Sequence, residues 1–352
     1  MRIAQIAPLT EAVPPKLYGG TERIVSYLTE GLVELGHEVT LFASGDSVTS
    51  ATLAPMSAKA LRLDPSVRDP NAPLTLMLET VYRRRHEFDL LHFHLDYLPF
   101  SLFSRASTPM LTTMHGRLDL PELQPVFEAF RDVPVVSISN DQRRPLPQAN
   151  FVSTVYHGLP EKLLTPRTDV APGYLAFLGR IAPEKRCDRA IEIAIATNTP
   201  IRIAAKVDRV DQEYYEQKIR PMMAHPLVEF IGEINEQQKP DFLSGATALL
   251  TPIDWPEPFG LVMIEAMACG TPVVAFRHGS VPEVVDDGVT GFAVSDMAEA
   301  IAAVERVKQL PRAGVRARFE QRFTARRMAQ DYVDLYQRLA HSRAAELMLA
   351  AE

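Results

Sequence analysis

The chain has 352 residues, 46% hydrophobic and 23% charged, with 37 Lys and Arg against 44 Asp and Glu for a net charge of −7. That length exceeds the roughly 250–300 residues at which a single core stops growing, so two domains are expected. The acidic balance excludes a nucleic-acid binder relying on general phosphate attraction, the two cysteines Cys187 and Cys269 point to a reduced, cytoplasmic setting, and no run approaches the roughly 20 apolar residues of a membrane span.

MRIAQIAPL has one charge and a short apolar run, and it reads as a first strand over Arg2–Ala7, not as a leader peptide. A helix over Thr21–Leu35, closed by Gly36, and a strand over His37–Phe42 follow. This β-loop-α-β opening predicts a doubly wound parallel sheet. The loop carries Tyr18-Gly19-Gly20-Thr21-Glu22 instead of G-x-G-x-x-G, so the nicotinamide fingerprint is absent. Two glycines at a strand-to-helix turn let a ligand approach backbone amides, or simply make the turn.

Residues 46–73, rich in Ser, Ala and Pro, read as irregular. The helix over Leu74–His86 ends in Arg83-Arg84-Arg85, a solvated end favoured by the dipole rather than a membrane patch. DLLHFH (Asp89–His94) is a strand with His92 and His94 on one face. No carboxylates or cysteines at ligand spacing accompany them, so no metal site is read there. The strand Met110–Gly116 leaves His115 at its carboxyl end, where open α/β sheets bind ligands, although a turn role fits equally. Val133–Ser139 ends at Ser139 and Asn140, which line a cleft or cap a turn.

Phe151–Pro160 is the last strand of the first half, and the polar, Pro-rich Pro166–Gly173 marks a boundary. Strands over 174–180, 201–206, 228–233, 246–252 and 271–276 then alternate with helices over Cys187–Ala196, Glu213–Met223, Gln238–Ser244 and Gly260–Cys269.

DWPEPFGLVMIEAMACGTPVV (Asp254–Val274) holds two carboxylates, Glu257 and Glu265, separated by seven residues. Pro256 and Pro258 keep the chain extended, and Phe259-Gly260 leads into a helix that Gly270 can end. Free N–H groups at the helix start bind phosphate. Flanking carboxylates accept hydrogen bonds from paired hydroxyls. The stretch therefore reads as a site for a sugar–diphosphate–nucleoside. Arg180 and Lys185, in Gly179-Arg180-Ile181-Ala182-Pro183-Glu184-Lys185, add a guanidinium fork and a point charge suited to the diphosphate.

E-P-F-G-L-V-x-I-E-A-M-A-x-G-T-P-V-V resembles the donor-site signature of retaining glycosyltransferases of family 4 (glycosyl transferases group 1), which have the GT-B fold. G-R-x-x-x-E-K resembles their diphosphate-binding segment. The resemblance spans nearly the whole chain and is densest over Gly179–Val285. It implies two Rossmann-like doubly wound parallel-sheet domains facing across a cleft. These are an acceptor-side domain over 1–162, joined by a C-terminal helix over 325–352, and a nucleotide-sugar donor domain over 163–324. The amphipathic segment 323–339, apolar at Met328, Tyr332, Leu335 and Leu339, is that helix.

The resemblance also implies roles. Arg180, Lys185 and the N–H groups at Phe259, Gly260 and Leu261 take the diphosphate, faced by Gly19 and Gly20. Glu257 orients the sugar hydroxyls, Glu265 the ribose diol, and the backbone at Ile231 receives the base. D-x-x-H-x-H brings His94 to the sugar with His92 as support, while His115 and Ser139 are acceptor-side candidates. RHGSVPEVV resembles the segment after the signature helix, with Glu283 structural. Where the family often has asparagine after a histidine, this chain has His157-Gly158.

The implied activity moves a hexose-type sugar from a nucleoside-diphosphate sugar, UDP-sugar first, to a hydroxyl of a saccharide, lipid-linked glycan or small metabolite. No cofactor or metal is expected, which the lack of an Asp-x-Asp triplet fits; no nucleic-acid partner is expected and membrane contact is not indicated. A GT-B nucleotide-sugar 2-epimerase would act without a second substrate, and a non-catalytic binding protein would hold donor unchanged. E-P-F-G with G-R-x-x-x-E-K favours transfer over the first, and the joint presence of Arg180, Lys185, Glu257 and Glu265 favours it over the second.

Overall fold

A computed structural model describes residues 1–16 and 19–349, without the side chains of 342–349. Tyr18 and residues 350–352 lie outside the described residues. The chain divides into two compact units, Met1–Gly158 with Ala325–Glu352, and Leu159–Thr324. The first division falls at Gly158, ahead of the expected 162 and of the polar stretch Pro166–Gly173. Leu159 is already tied to the second unit: its N–H bonds to Phe323 O at 2.9 Å, and it bridges Thr324.

The first unit holds seven parallel strands: β1 (Arg2–Ile6), β2 (Glu38–Ser44), β3 (Thr52–Ser57), β4 (Leu90–Phe93), β5 (Met110–Thr113), β6 (Val135–Ser137) and β7 (Phe151–Thr154). Their order is β3-β2-β1-β4-β5-β6-β7. The strand β3 corrects the irregular reading of 46–73. It pairs only with β2 at the sheet edge, where Pro55 is tolerated and an alternating apolar pattern is not required. Helices α1 (Gly20–Glu34), α2 (Asn71–Arg84), α3 (Phe100–Phe103) and α4 (Leu123–Ala129) connect these strands. Gly36 closes α1 at φ +85, its N–H reaching Val33 O at 2.9 Å and that of His37 reaching Leu32 O at 3.1 Å, the Schellman arrangement.

The second unit is a six-stranded parallel sheet of β8 (Tyr174–Arg180), β9 (Ile201–Lys206), β10 (Val228–Gly232), β11 (Ala246–Thr251), β12 (Val273–Phe276) and β13 (Gly291–Val294). Its order is β10-β9-β8-β11-β12-β13. The helix α5 (Cys187–Ala196) forms as expected. The expected helix over Glu213–Met223 is instead two short turns, α6 (Gln212–Tyr214) and α7 (Arg220–Met222), around a π turn at Tyr215–Ile219. Pro221 lacks the N–H that a regular helix would use, which favours this irregularity. Beyond it come α8 (Lys239–Ser244), α9 (Leu261–Ala268), α10 (Val281–Val284), α11 (Met297–Val307) and α12 (Arg312–Arg322). Apolar side chains from α5, α11 and the central strands fill this unit's core.

The last helix, α13 (Ala325–Leu349), belongs to the first unit and lies against α1. The approach is close: a Cβ on Gly31 would sit 2.9 Å from that of Ala329. Met328, Tyr332 and Leu335 are buried and Leu339 is half-buried. No helix among the described residues is long and apolar enough to cross a membrane. In each sheet the strand order reverses once, beside β1 and β4 in the first and beside β8 and β11 in the second. Such switch points are where open α/β sheets bind ligands.

Candidate active site

Both strong sequence motifs emerge at the switch point of the second unit. The strand β8 ends at Arg180, and a short turn carries Lys185; β11 ends at Thr251, and its loop carries Glu257 toward α9. Lys185 Nζ forms an ion pair with Glu257 Oε2 and stands 4.8 Å over the Trp255 ring. Trp255 Nε1–H donates to the same oxygen at 3.0 Å. Arg180 donates to Glu184 at 2.7 Å and lies 3.7 and 3.5 Å from Asp208 and Asp211. Burial pushes the Asp211 carboxyl up, against the pull of Arg180.

Gly260 caps α9 in the left-handed region at φ +79, a conformation that side chains other than glycine's disfavour. A Cβ there would also meet Met263 Cε at 2.6 Å. Phe259 is buried and packs edge-on against Phe323, fixing the loop so that Leu261 opens the helix. The helix ends as expected: Gly270 is at φ +70, its N–H bonds to Met267 O at 2.9 Å, and Thr271 N–H bonds to Ala266 O at 2.9 Å.

Two residues that sequence reasoning passed over hold this loop. Gly279 is at φ +58, and a Cβ on it would fall 2.4 Å from both N and O of Glu257. Ser280 N–H donates to Glu257 O at 2.9 Å and its hydroxyl to Phe259 O at 2.8 Å. The sign available was their place in RHGSVPEVV, the segment that resembles the one after the signature helix. Trp255, the chain's single tryptophan, was likewise unassigned.

Glu265 is only 4% exposed, in a helix whose other residues are largely apolar. Lys239, also missed, is its partner: Nζ donates to Glu265 at 2.7 Å and to Glu236 at 2.6 Å. Burial draws this amine down, but the two carboxylates more than offset it and leave it raised. A carboxylate inside LVMIEAMA signals that some cation must approach, yet not which one. Ile231 lies on the edge strand β10, where pairing skips from Phe230–Ile203 to Gly232–Ala204 and leaves it out of register.

In the first unit, Gly19 precedes α1, and a Cβ on it would sit 2.8 Å from that of Pro15 and 3.1 Å from Glu22 Oε2. Gly20 is the first residue of the helix. Burial, then the neighbouring Glu11, raises the Glu22 carboxyl.

The carboxyl ends of β4 and β5 carry a connected polar cluster. His94 Nε2 lies 2.8 Å from Gln5 Oε1, and His94 Nδ1 lies 2.8 Å from His115 Nε2. His92 Nδ1 lies 2.6 Å from Tyr336 Oη, and His92 Nε2 lies 2.7 Å from Thr113 Oγ1, which is 2.7 Å from Tyr332 Oη. His157 stacks on His115 at 5.4 Å. Burial holds His92, His94 and His157 far below the usual histidine range and brings His115 down to about 3. The cluster is therefore neutral.

Two expectations change in this unit. His94 is 3% exposed and both its ring nitrogens are engaged within the chain, so it supports His115 and has no nitrogen left for a sugar. Ser139 is fully buried and its hydroxyl accepts from Gln142 N–H at 3.1 Å; it caps a turn and is not an acceptor-side residue. Among the described residues no group of three or more His, Cys, Asp or Glu is placed to hold a metal.

A model of glycosyl transferases group 1 matches residues 166–325 and one of glycosyltransferase family 4 matches residues 18–177. The glycogen synthase of Mycobacterium tuberculosis is 25% identical, with 86% of each chain covered. The phosphatidyl-myo-inositol mannosyltransferase of Mycolicibacterium smegmatis is 27% identical over 92% of this chain and 89% of its own. Among solved structures, sucrose-phosphate synthase from Thermosynechococcus elongatus shares the fold at a TM-score of 0.78 and 20% identity, covering 97% of this chain and all (100%) of its own.

Proposed function

The chain belongs to the family 4 glycosyltransferases of group 1, and from that premise we propose a retaining, metal-independent transfer of a hexose-type sugar from a nucleoside-diphosphate sugar, UDP-sugar first, to a hydroxyl acceptor. The observation that carries the proposal is the convergence of Arg180, Lys185, Glu257 and the start of α9 at one switch point. Departure of the nucleoside diphosphate builds negative charge on its β-phosphate. Two cations and the N–H groups at the start of α9 are preorganised to stabilise it, so the charge is met without a divalent ion.

Glu257 orients the sugar hydroxyls, Glu265 accepts from the ribose diol, and Ile231 offers backbone to the base. The anomeric C–O bond to phosphate breaks as the bond to the acceptor oxygen forms on the same face. The departing phosphate takes the acceptor's proton. Since Lys185 and Arg180 are paired with carboxylates in the free protein, donor binding exchanges those partners for phosphate oxygens. Cys187 and Cys269, free and buried, suit a reduced cytoplasm.

Thermal unfolding with UDP, GDP or ADP, without and then with magnesium, tests the site. Ligand at about 100 times its dissociation constant adds about 2.7 kcal/mol. A shift with one nucleotide, unchanged by magnesium, is the expected result, and no shift with any of them overturns the site. The anomeric configuration of the transferred sugar, read by NMR, tests retention.

A further inference from the structure

Gln5 has no part in the reading above, yet it is fully buried on β1, next to the switch point of the first unit. Its amide lies among His94, His92 and Tyr336. Oε1 is 2.8 Å from His94 Nε2, while Nε2 is 3.2 Å from Tyr336 Oη and 3.3 Å from His92 Nδ1. An amide oxygen only accepts and an amide nitrogen only donates. The placement therefore gives the whole cluster one direction.

His94 donates from Nε2 to Gln5. Its Nδ1 is then bare, as in any neutral imidazole with one proton, and accepts from His115. So His115 carries its proton on Nε2. On the other side, His92 Nδ1 accepts from Tyr336 and its Nε2–H donates to Thr113, which closes that branch.

The branch through His94 is left with an open end at His115. His115 Nδ1 is buried and has no hydrogen-bond partner among the described residues. Such an orphaned group is costly to keep, and it calls for a donor from outside the chain. We propose that Gln5 is a positioning residue: acting through His94, it fixes His115 as the Nε2–H tautomer, so that Nδ1 is offered as an acceptor to a substrate hydroxyl. This rests on His115 being an acceptor-side residue of the transferase. The β1 strand thereby sets the chemistry of a ring two strands away.

Long-range proton–nitrogen correlation on nitrogen-15-labelled protein at neutral pH tests the assignment. In the wild type, His94 and His115 should each be protonated on Nε2 alone. In Gln5→Met, His94 loses its acceptor, and both rings should become mixtures of tautomers. Turnover is read with the sugar nucleotide whose diphosphate raises the unfolding temperature, as release of free sugar. It should fall tenfold or more in Gln5→Met, while the affinity for that diphosphate stays within twofold.

A proton on His115 Nδ1 in the wild type overturns the proposal without any variant. Unchanged tautomers or full turnover in Gln5→Met overturn it as well. A wild type that binds none of UDP, GDP and ADP instead counts against the donor site, and the tautomers still decide the part played by Gln5.

Discussion

His94 Nδ1 and His115 Nε2 stand 2.8 Å apart, and each ring is held neutral by burial. A hydrogen bond between two imidazoles needs one bare nitrogen as acceptor, which is lost once both rings are charged. With His92 and His157 they make a group of four histidines, all with lowered pKa.

That group should make stability sensitive to acid. The folded rings stay neutral, whereas unfolded histidines take up protons below about pH 6.5. Stability is therefore fully present above that pH and falls as pH drops toward the folded values, about 3 for His115. Each ring contributes up to about 1.4 kcal/mol per pH unit below that pH, about 5.5 per unit for the four together. Urea unfolding at pH 7.0 and 5.5 measures this, and equal stabilities at the two would contradict it.

Lys185→Ala should lower turnover by about 10²–10³-fold, as loss of one preorganised donor does. It also strips Glu257 of its cation, leaving Trp255 as the donor to Oε2. Steady-state kinetics with the selected sugar nucleotide reads the loss. Full turnover in Lys185→Ala would remove this residue from the chemistry.

Gly279→Ala should unsettle the loop that carries Glu257. The left-handed backbone alone costs roughly 1–2 kcal/mol, and overlap with the Glu257 main chain at 2.4 Å adds to it. Calorimetry should show a lower unfolding temperature, and nucleotide binding should weaken with it. Wild-type behaviour in both would mean that Ser280 holds the loop without help.

Lys239 and Glu265 are 12% and 5% exposed at the side chain. Replacing Lys239 alone should cost about 3–5 kcal/mol, because Glu265 is left buried without its cation, whereas Lys239 would keep Glu236 if Glu265 were replaced. In chemical unfolding, Lys239→Met with Glu265→Leu should be less destabilised than Lys239→Met alone. A double variant as unstable as the sum of the two singles would show that the residues do not act as a pair.

The parts legible in the sequence were those where local pattern and tertiary role agree. The strands β8 and β9 and the helix α5 appear at their expected residues because continuous apolar runs, bounded by breakers, belong to buried parallel elements. Gly36 and Gly270 announced their helix ends for a local reason too, the left-handed turn.

Edge position hid β3, whose TLAPMS has neither alternation nor a continuous apolar run. Pro221 altered a helix that periodicity alone would have continued. Within the site, motif residues were readable and their partners were not. Lys239 reaches Glu265 from a different helix, and Gly279 reaches Glu257 across 22 positions of chain. Period-two alternation put His92 and His94 on one face, but not the neighbours that use up both nitrogens of His94.

Tyr332 and Tyr336, which engage Thr113 and His92, come from α13, and α13 follows the entire second unit in the chain. On a ribosome, then, the first unit begins first and is completed last. Residues 159–324 must be made in between, which at about 5–20 residues per second takes on the order of 10–30 s. Through that interval Gln5, His92 and Thr113 lack the tyrosines that satisfy them, and at its end the second unit is whole before α13 has been made. The nascent protein is thus a finished second unit attached to an open first one, closed only by the final helix.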